Sequence, residues 1–172
     1  MDPLSGGRIE SGLKIRIALA GKADAFDLVV VRTGSWREAY RGILPQPYLD
    51  GLRKQTKMDF PAGTWLIEAD KIIAGYLSTG IERLDSIPET VEIKELYVHP
   101  NYWRMGLGRT LVDSVHEQLA ARGCGEIYLW VLEANEKGRA FYEAIGFKKD
   151  RRKKLVPTAG KDFPVVLYRR AS

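Results

Sequence analysis

Residues 90–122 read TVEIKELYVHPNYWRMGLGRTLVDSVHEQLAAR: a strand, a glycine turn and a long amphipathic helix in succession. On the strand Val91–Val98, the residues Val91, Ile93 and Tyr97 fall on one face and Leu96 and Val98 on the other. Pro100 ends it, because proline has no N–H to give to a sheet ladder. Leu111, Val112, Val115 and Leu119 then recur at helical spacing. The junction is Arg104-Met105-Gly106-Leu107-Gly108-Arg109. Glycine lets a backbone come close to a ligand, and the first amides of a helix have no intrahelical acceptor and carry partial positive charge. An anion such as a pyrophosphate suits that place, and Arg104 and Arg109 add positive charge at its rim. The glycines alone fit an ordinary turn into a core helix equally well. They do not fit a dinucleotide fingerprint, since Leu111 stands where the third glycine belongs, and the chain has no G-x-x-x-x-G-K-[ST] loop.

Downstream, Gly123 and Gly125 stop the helix, and Glu126–Leu132 (EIYLWVL) is apolar enough for a buried strand beside a parallel neighbour. In Glu133–Phe147, Asn135 suits an N-cap and Gly146 the residue that ends a helix. Ala140, Phe141, Ala144 and Ile145 make the apolar face, with Tyr142 at its edge. Lys148–Val156 is strongly basic; a turn over Pro157–Asp162 and a strand Phe163–Arg169 complete an antiparallel hairpin. Upstream, Leu13–Leu19 alternates as a first strand. A helix from Ala23 or Asp24 to Arg41 carries Phe26, Val29, Val30, Thr33, Trp36 and Tyr40 at three- and four-residue steps. Pro45 and Pro47 break it, and Tyr48–Lys54 is a short second helix. A turn over Asp59–Gly63 leads to a hairpin of Thr64–Ala69 and Lys71–Thr79 across Asp70, then a charged loop, Glu82–Pro88.

The central stretch resembles the core motif of the GCN5-related N-acetyltransferase (GNAT) superfamily, an apolar strand ending in a V-x-P-like step and then [QR]-x-x-G-x-G/A opening a helix. Leu96-Tyr97-Val98-His99-Pro100 and Gly106-Leu107-Gly108 match it with the family's spacing. Trp103 stands in the Gln/Arg slot, so no family side-chain role carries over there, while the backbone phosphate contacts do. Asn135–Phe147 is similar to the family's other signature, N-x-x-[AG]-x-x-[FL]-Y-[EK]-x-x-GF, in the right order and at the right separation. Ser35–Pro45 resembles a stretch that helps form the acceptor pocket in many members.

That resemblance implies a single α/β domain with a mixed, mostly antiparallel six- to seven-stranded sheet, splayed central parallel strands and helices on both faces. It implies transfer of an acetyl group from acetyl-CoA to a primary amine of a small molecule or protein, by direct attack and without a metal. The pyrophosphate would sit on the turn Arg104, Met105, Gly106, Leu107, Gly108 and Arg109, and the pantetheine arm along Leu96, Tyr97 and Val98 with Asn135 in contact. An N–H in the splayed gap, that of Val98 first, would polarise the thioester, and Tyr142 matches the general acid for the leaving thiolate. For the base, Glu92 matches a glutamate found in several members; Glu95, one step on and on the opposite face, or a water are the alternatives. The run Arg151–Lys154 either faces the acceptor pocket, favouring amines that bear a carboxylate or phosphate, or is a solvated strand face.

The chain has 172 residues, 45% of them hydrophobic and 28% charged, which suits one soluble domain. Residues 1–12 are expected to form a flexible polar leader and 13–172 the acetyltransferase domain. No apolar run approaches a membrane span and no signal pattern opens the chain, so a cytoplasmic protein is expected. Cys124 is the single cysteine and His99 and His116 the only histidines, which gives no internal disulfide and no zinc set. Cys124, between two glycines, reads as a half-buried structural thiol. The net charge of +5 suits a polyanion, which coenzyme A itself is; there is no nucleic-acid motif. The oligomeric state, a homodimer included, is left open. An acyl-CoA sensor without turnover is the alternative function.

Overall fold

Along the chain come β1 (Ser5–Arg8), β2 (Lys14–Leu19), α1 (Ala25–Ala39), α2 (Gln46–Gly51), β3 (Thr64–Ala69) and β4 (Ile72–Thr79). Then follow β5 (Thr90–Val98), α3 (Leu107–Ala120), β6 (Glu126–Leu132), α4 (Glu136–Ala144), β7 (Lys148–Thr158) and β8 (Lys161–Ala171). The computed structural model describes residues 5–8, 12–52, 61–81, 83 and 86–172. The strands form one sheet in the order β1-β2-β3-β4-β5-β6-β8-β7. Every neighbouring pair is antiparallel except β5 and β6, which α3 joins as a parallel crossover.

Alternation along the strands builds two cores. Ile15 and Ile17 of β2, Trp65, Ile67 and Ala69 of β3, and Val91 and Ile93 of β5 pack on one face against Leu111, Val112, Val115 and Leu119 of α3. Each of those four α3 side chains is at most 2% exposed. Burying a side chain of that kind stabilises by about 1.5–3 kcal/mol, so this stripe fixes the helix to the sheet. On the other face Leu66 and Tyr76 meet Leu28 and Val31 of α1. Helices thus cover both faces, as expected.

Several elements depart from the sequence reading. The sheet has eight strands rather than six or seven, because Ser5–Arg8, assigned to the leader, pair antiparallel with β2. Residues 1–4 and 9–11 lie outside the described residues, as do parts of the expected second helix, of the Asp59–Gly63 turn and of the charged loop. The face of α1 is turned from the one read: Leu28, Val31 and Ser35 are buried, whereas Phe26 is 69% exposed. Pro47 sits in the first turn of α2 rather than ahead of it, where its missing N–H costs nothing. The β3–β4 hairpin turns on Asp70 and Lys71, both at positive φ, the conformation that matches the strand twist.

The departure that matters most is in β5. Its register against β4 steps from Thr79↔Ile93 to Ser78↔Glu95, leaving Lys94 as an extra residue. This bulge flips the alternation: Leu96 and Val98 join Val91 and Ile93 on the α3 face, while Tyr97 turns to the α1 face. Glu95 follows Tyr97, its carboxylate taking a hydrogen bond from Tyr76 at 3.0 Å. A bulge also bends a strand and increases its twist. Pairing of β5 with β6 stops at this point: only Thr90, Val91 and Glu92 are in register, with Glu126, Ile127 and Tyr128. β6 stays paired with β8 as far as Leu132, and β5 with β4 as far as Val98. The two parallel strands therefore part into a cleft.

Candidate active site

The cleft leaves backbone groups without a ladder. His99 N–H bonds Ala74 O at 2.8 Å, so His99, like Tyr97 in the pair Tyr76↔Tyr97, points its amide at β4. Leu96 and Val98, the intervening residues, direct theirs into the gap. The carbonyl of Val98 is taken at 2.6 Å by the indole N–H of Trp103. An extended amide chain laid in the gap would find the groups of Leu96 and the N–H of Val98.

At the end of β5 a single 3-10 turn, Pro100–Tyr102, leads to Arg104 at φ +63° and Gly106 at φ +82°. A left-handed N-cap of that kind favours glycine, and open space surrounds the position its Cβ would take. The first intrahelical bond runs from Thr110 N–H to Gly106 O at 3.0 Å. The amides of Leu107, Gly108 and Arg109 precede it, which makes a donor set for an anionic oxygen, strengthened by the α3 dipole. Leu107 itself is buried; Met105 and Arg104 are exposed. The second glycine has another task. A Cβ on Gly108 would lie 3.1 Å from Phe141 Cζ and 3.3 Å from Cε2, so its bareness lets α4 pack on the first turn of α3. Arg109, read as mobile charge at the rim, instead donates to Ala144 O at 2.6 Å and ties α3 to the last turn of α4.

On the far side of the gap, Asn135 caps α4, its Oδ1 accepting from Gly138 N–H at 2.9 Å. It is 8% exposed, and the cap needs a glycine: a Cβ on Gly138 would fall 2.6 Å from Asn135 Nδ2. Two turns on, the Tyr142 ring is held by Phe141, Phe147 and Tyr168 at centroid distances of 5.3, 5.7 and 6.3 Å. Burial, and then the neighbouring Tyr40 phenol, push its hydroxyl above the ordinary tyrosine range, so it keeps its proton at neutral pH. The same Tyr40 hydroxyl influences Tyr97, after burial the next cause of that phenol's upward shift, and Asn135 draws the Tyr40 pKa partly back down. Tyr40, part of the helix stripe and of the Ser35–Pro45 stretch, therefore joins β5, α4 and the Asn135 cap. Trp36 lies 4.9 Å from Tyr40 and 6.4 Å from Tyr97 between ring centroids, and with Tyr48, Leu132 and Phe163 it closes an aromatic wall over Leu44 and Leu49.

The two candidate bases stand apart. Glu92, in the last pair before the strands separate, is bonded by Lys94 and its side chain is 21% exposed. Glu95 is held by Tyr76 and lies 3.7 Å from Arg32 Nε. A cleft of about 430 Å³ opens between α1, the start of α2 and Pro100, lined by Arg37, Glu38, Arg41 and Gln46.

The basic run does not line the gap. β7 is the outer edge of the sheet, separated from the gap by β6 and β8. Residues 148–154 hold six Lys and Arg against one Asp, a surplus that equals the net charge of the whole chain. Arg152 pairs with Asp150, Lys153 with Glu133, and Lys154 lies 4.2 Å over the Trp130 ring. The run is a solvated edge strand. Among the described residues no group of acidic, histidine and cysteine side chains could hold a metal ion, and no helix is long and apolar enough to cross a membrane. Cys124 is buried, its thiol bonded to Glu126 O at 3.2 Å.

One residue escaped the sequence reading: Trp103, whose departure from the family's Gln/Arg was the available signal. Tyr40 lies within the Ser35–Pro45 stretch that resembles an acceptor-pocket segment, but its partners Tyr97, Tyr142 and Asn135 were not legible there.

Comparison with known proteins agrees with this geometry. Residues 33–147 match the model of the acetyltransferase (GNAT) family. The spermidine N(1)-acetyltransferase of Thermoplasma acidophilum is 26% identical over 167 residues, covering 88% of this chain and 95% of that protein. A ribosomal-protein-alanine N-acetyltransferase of Escherichia coli is 33% identical over 72 residues, 41% of this chain and 49% of its own length. The PaiA N-acetyltransferase of T. acidophilum, solved with coenzyme A, superposes with a TM-score of 0.70 at 24% identity, covering 92% of this chain and 99% of that one. The matched span runs from the middle of α1 past Tyr142, and so contains both walls of the parted strands. The chain belongs to the acetyltransferase (GNAT) family and is an acetyl-CoA-dependent N-acetyltransferase.

Proposed function

We propose that a primary amine enters the gap between β5 and β6 from the α1 side and attacks the acetyl thioester directly. The observation that carries this reading is the parting of the strands after Glu92 and Tyr128; the half-buried Tyr142, whose phenol keeps its proton, serves it as acid. The free amides at the start of α3 take the pyrophosphate of acetyl-CoA, with Gly106 shaping the turn. The arm runs along Leu96, Tyr97 and Val98, with Asn135 opposite. The N–H of Val98 stabilises the thioester oxygen as it gains charge; loss of one such donor costs on the order of 10²–10³ in rate. Tyr142 gives its proton to the sulfur as the C–S bond breaks.

Glu92 takes the amine proton, directly or through water. One point favours it over Glu95: it stands where the strands begin to separate. For the acceptor we favour a small alkyl amine over a protein terminus. The wall of Trp36, Tyr40 and Tyr97 suits an alkylammonium chain, since aromatic faces attract cations. The full-length similarity to a spermidine acetyltransferase supports the same choice. The edge position of β7 removes the argument for anionic acceptors. We place the reaction in the cytoplasm, where a lone reduced thiol such as Cys124 is at home.

The test is acetyl-CoA turnover, read as free thiol, across polyamines, amino acids and peptides beginning with alanine. Fastest thiol release with polyamines is expected. Faster turnover of peptides would move the acceptor to proteins. A thermal shift with acetyl-CoA but no thiol release across the panel would make the protein a sensor.

A further inference from the structure

The Gln/Arg slot of the glycine turn is filled by Trp103, and its indole N–H does not face solvent. It donates to the carbonyl of Val98 at 2.6 Å, five residues back and at the edge of the parted strands. That carbonyl shares a peptide unit with the His99 N–H, which donates to Ala74 O at 2.8 Å. The unit is therefore held at both ends, by Trp103 on the cleft side and by β4 on the other. The preceding unit is held by β4 through the Tyr76↔Tyr97 pair. Val98 stands between two fixed peptide planes, and its own N–H can point only into the gap.

We infer that Trp103 is a positioning residue for acetyl transfer, acting through Val98: its indole fixes the peptide that aims the Val98 N–H and caps the Val98 carbonyl. Uncapped, that oxygen would present partial negative charge beside the place where the thioester oxygen becomes an anion. The cap thus acts on the transition state more than on coenzyme binding, which falls to the amides of α3 and to the arm's contacts along β5. This inference rests on the reading of Val98 as the oxyanion donor, and the experiment separates the two.

Three variants are compared by melting temperature, coenzyme A affinity, and kcat and KM for acetyl-CoA. Trp103→Phe keeps a ring and loses the N–H. Trp103→Gln supplies another N–H from the residue usual in the family. Val98→Pro removes the donor itself at a position whose N–H serves no ladder, and its melting temperature registers the loss of the valine side chain from the core. For Trp103→Phe the expected result is a roughly tenfold lower kcat, with coenzyme A affinity and KM within threefold of wild type; Trp103→Gln recovers part of the loss. Val98→Pro should lose on the order of 10² in kcat or more. A Trp103→Phe enzyme with wild-type kcat, alongside a crippled Val98→Pro, overturns the role of Trp103 and leaves the donor standing. Full activity in Val98→Pro overturns the donor and the inference with it. Parallel losses of affinity, melting temperature and kcat in Trp103→Phe, without recovery in Trp103→Gln, reduce the indole to a structural contact.

Discussion

Gly108→Ala puts a methyl group 3.1 and 3.3 Å from two Phe141 ring carbons and 3.6 Å from Val98 Cγ2. The first two contacts are tighter than a side chain normally accepts, so the ring must yield by a few tenths of an ångström. Overpacking of this kind costs about 1–3 kcal/mol. Alanine returns about 1 kcal/mol of helix propensity over glycine. The net loss is about 0–2 kcal/mol, a melting temperature lower by no more than roughly 8 °C for a chain of this size. Activity should fall by more than stability suggests, because Phe141 precedes Tyr142 on α4 and moves it. If a misplacement of 1 Å costs about 10²-fold, a few tenths cost roughly threefold in kcat. The assay is a double-mutant cycle on melting temperature and kcat, with Phe141→Leu as the second change. The double variant should lie closer to wild type than the two single losses added. Gly106→Ala is the comparator. Its Cβ meets nothing, its cost is the strain of φ +82°, about 1–2 kcal/mol, and it should add to Phe141→Leu without coupling. The reasoning fails if Gly108→Ala leaves both quantities unchanged, or if Gly106→Ala couples to Phe141 as strongly.

Tyr142→Phe should lower kcat on the order of 10²-fold with KM for acetyl-CoA within threefold, measured by thiol release; near-normal turnover would remove the general acid. Glu92→Gln should lower kcat with KM for acetyl-CoA little changed, whereas Glu95→Gln keeps kcat near wild type; the opposite pattern would exchange their roles. Stability should fall in alkali. Burial raises the phenol pKa of Tyr76, Tyr97 and Tyr142 in the folded chain. Below the unfolded value near 10 both states keep these protons and stability is complete. Above it the unfolded chain releases them first, and each phenol removes about 1.4 kcal/mol per pH unit until its folded pKa is reached. Urea midpoints at pH 9, 10 and 11, with phenolate absorbance followed alongside, would check this; a midpoint flat beyond pH 10 would refute it.

The sequence was most legible where periodicity is strong. β5, α3, β6 and α4 lie within about one or two residues of their expected bounds, because runs such as EIYLWVL and the spacing of Leu111 to Leu119 allow few alternatives. It was least legible where a single residue changes the geometry. The extra residue Lys94 has no signature, yet it puts Glu95 on the face opposite to the one alternation predicts. β1 reads SGGR, with neither alternation nor branched side chains, and it forms because β2 offers an edge. α1 carries apolar residues around most of its girth, so spacing could not tell which face is covered. At the site, residue types were readable and partners were not: Arg109 binds α4, and Trp103 binds Val98, through contacts set by the packed fold.

The charged outer strand also limits how copies of this chain can assemble. An eleven-residue border with unsatisfied amides invites a second sheet to continue it. Two molecules meeting there would each bring the entire charge surplus of the protein to the seam. At low ionic strength that repulsion reaches well beyond contact distance, and it weakens as the Debye length shrinks to about 10 Å at 0.1 M salt. In dilute buffer that repulsion works against any sheet continued from β7 of one copy to β7 of another, and added salt relaxes it.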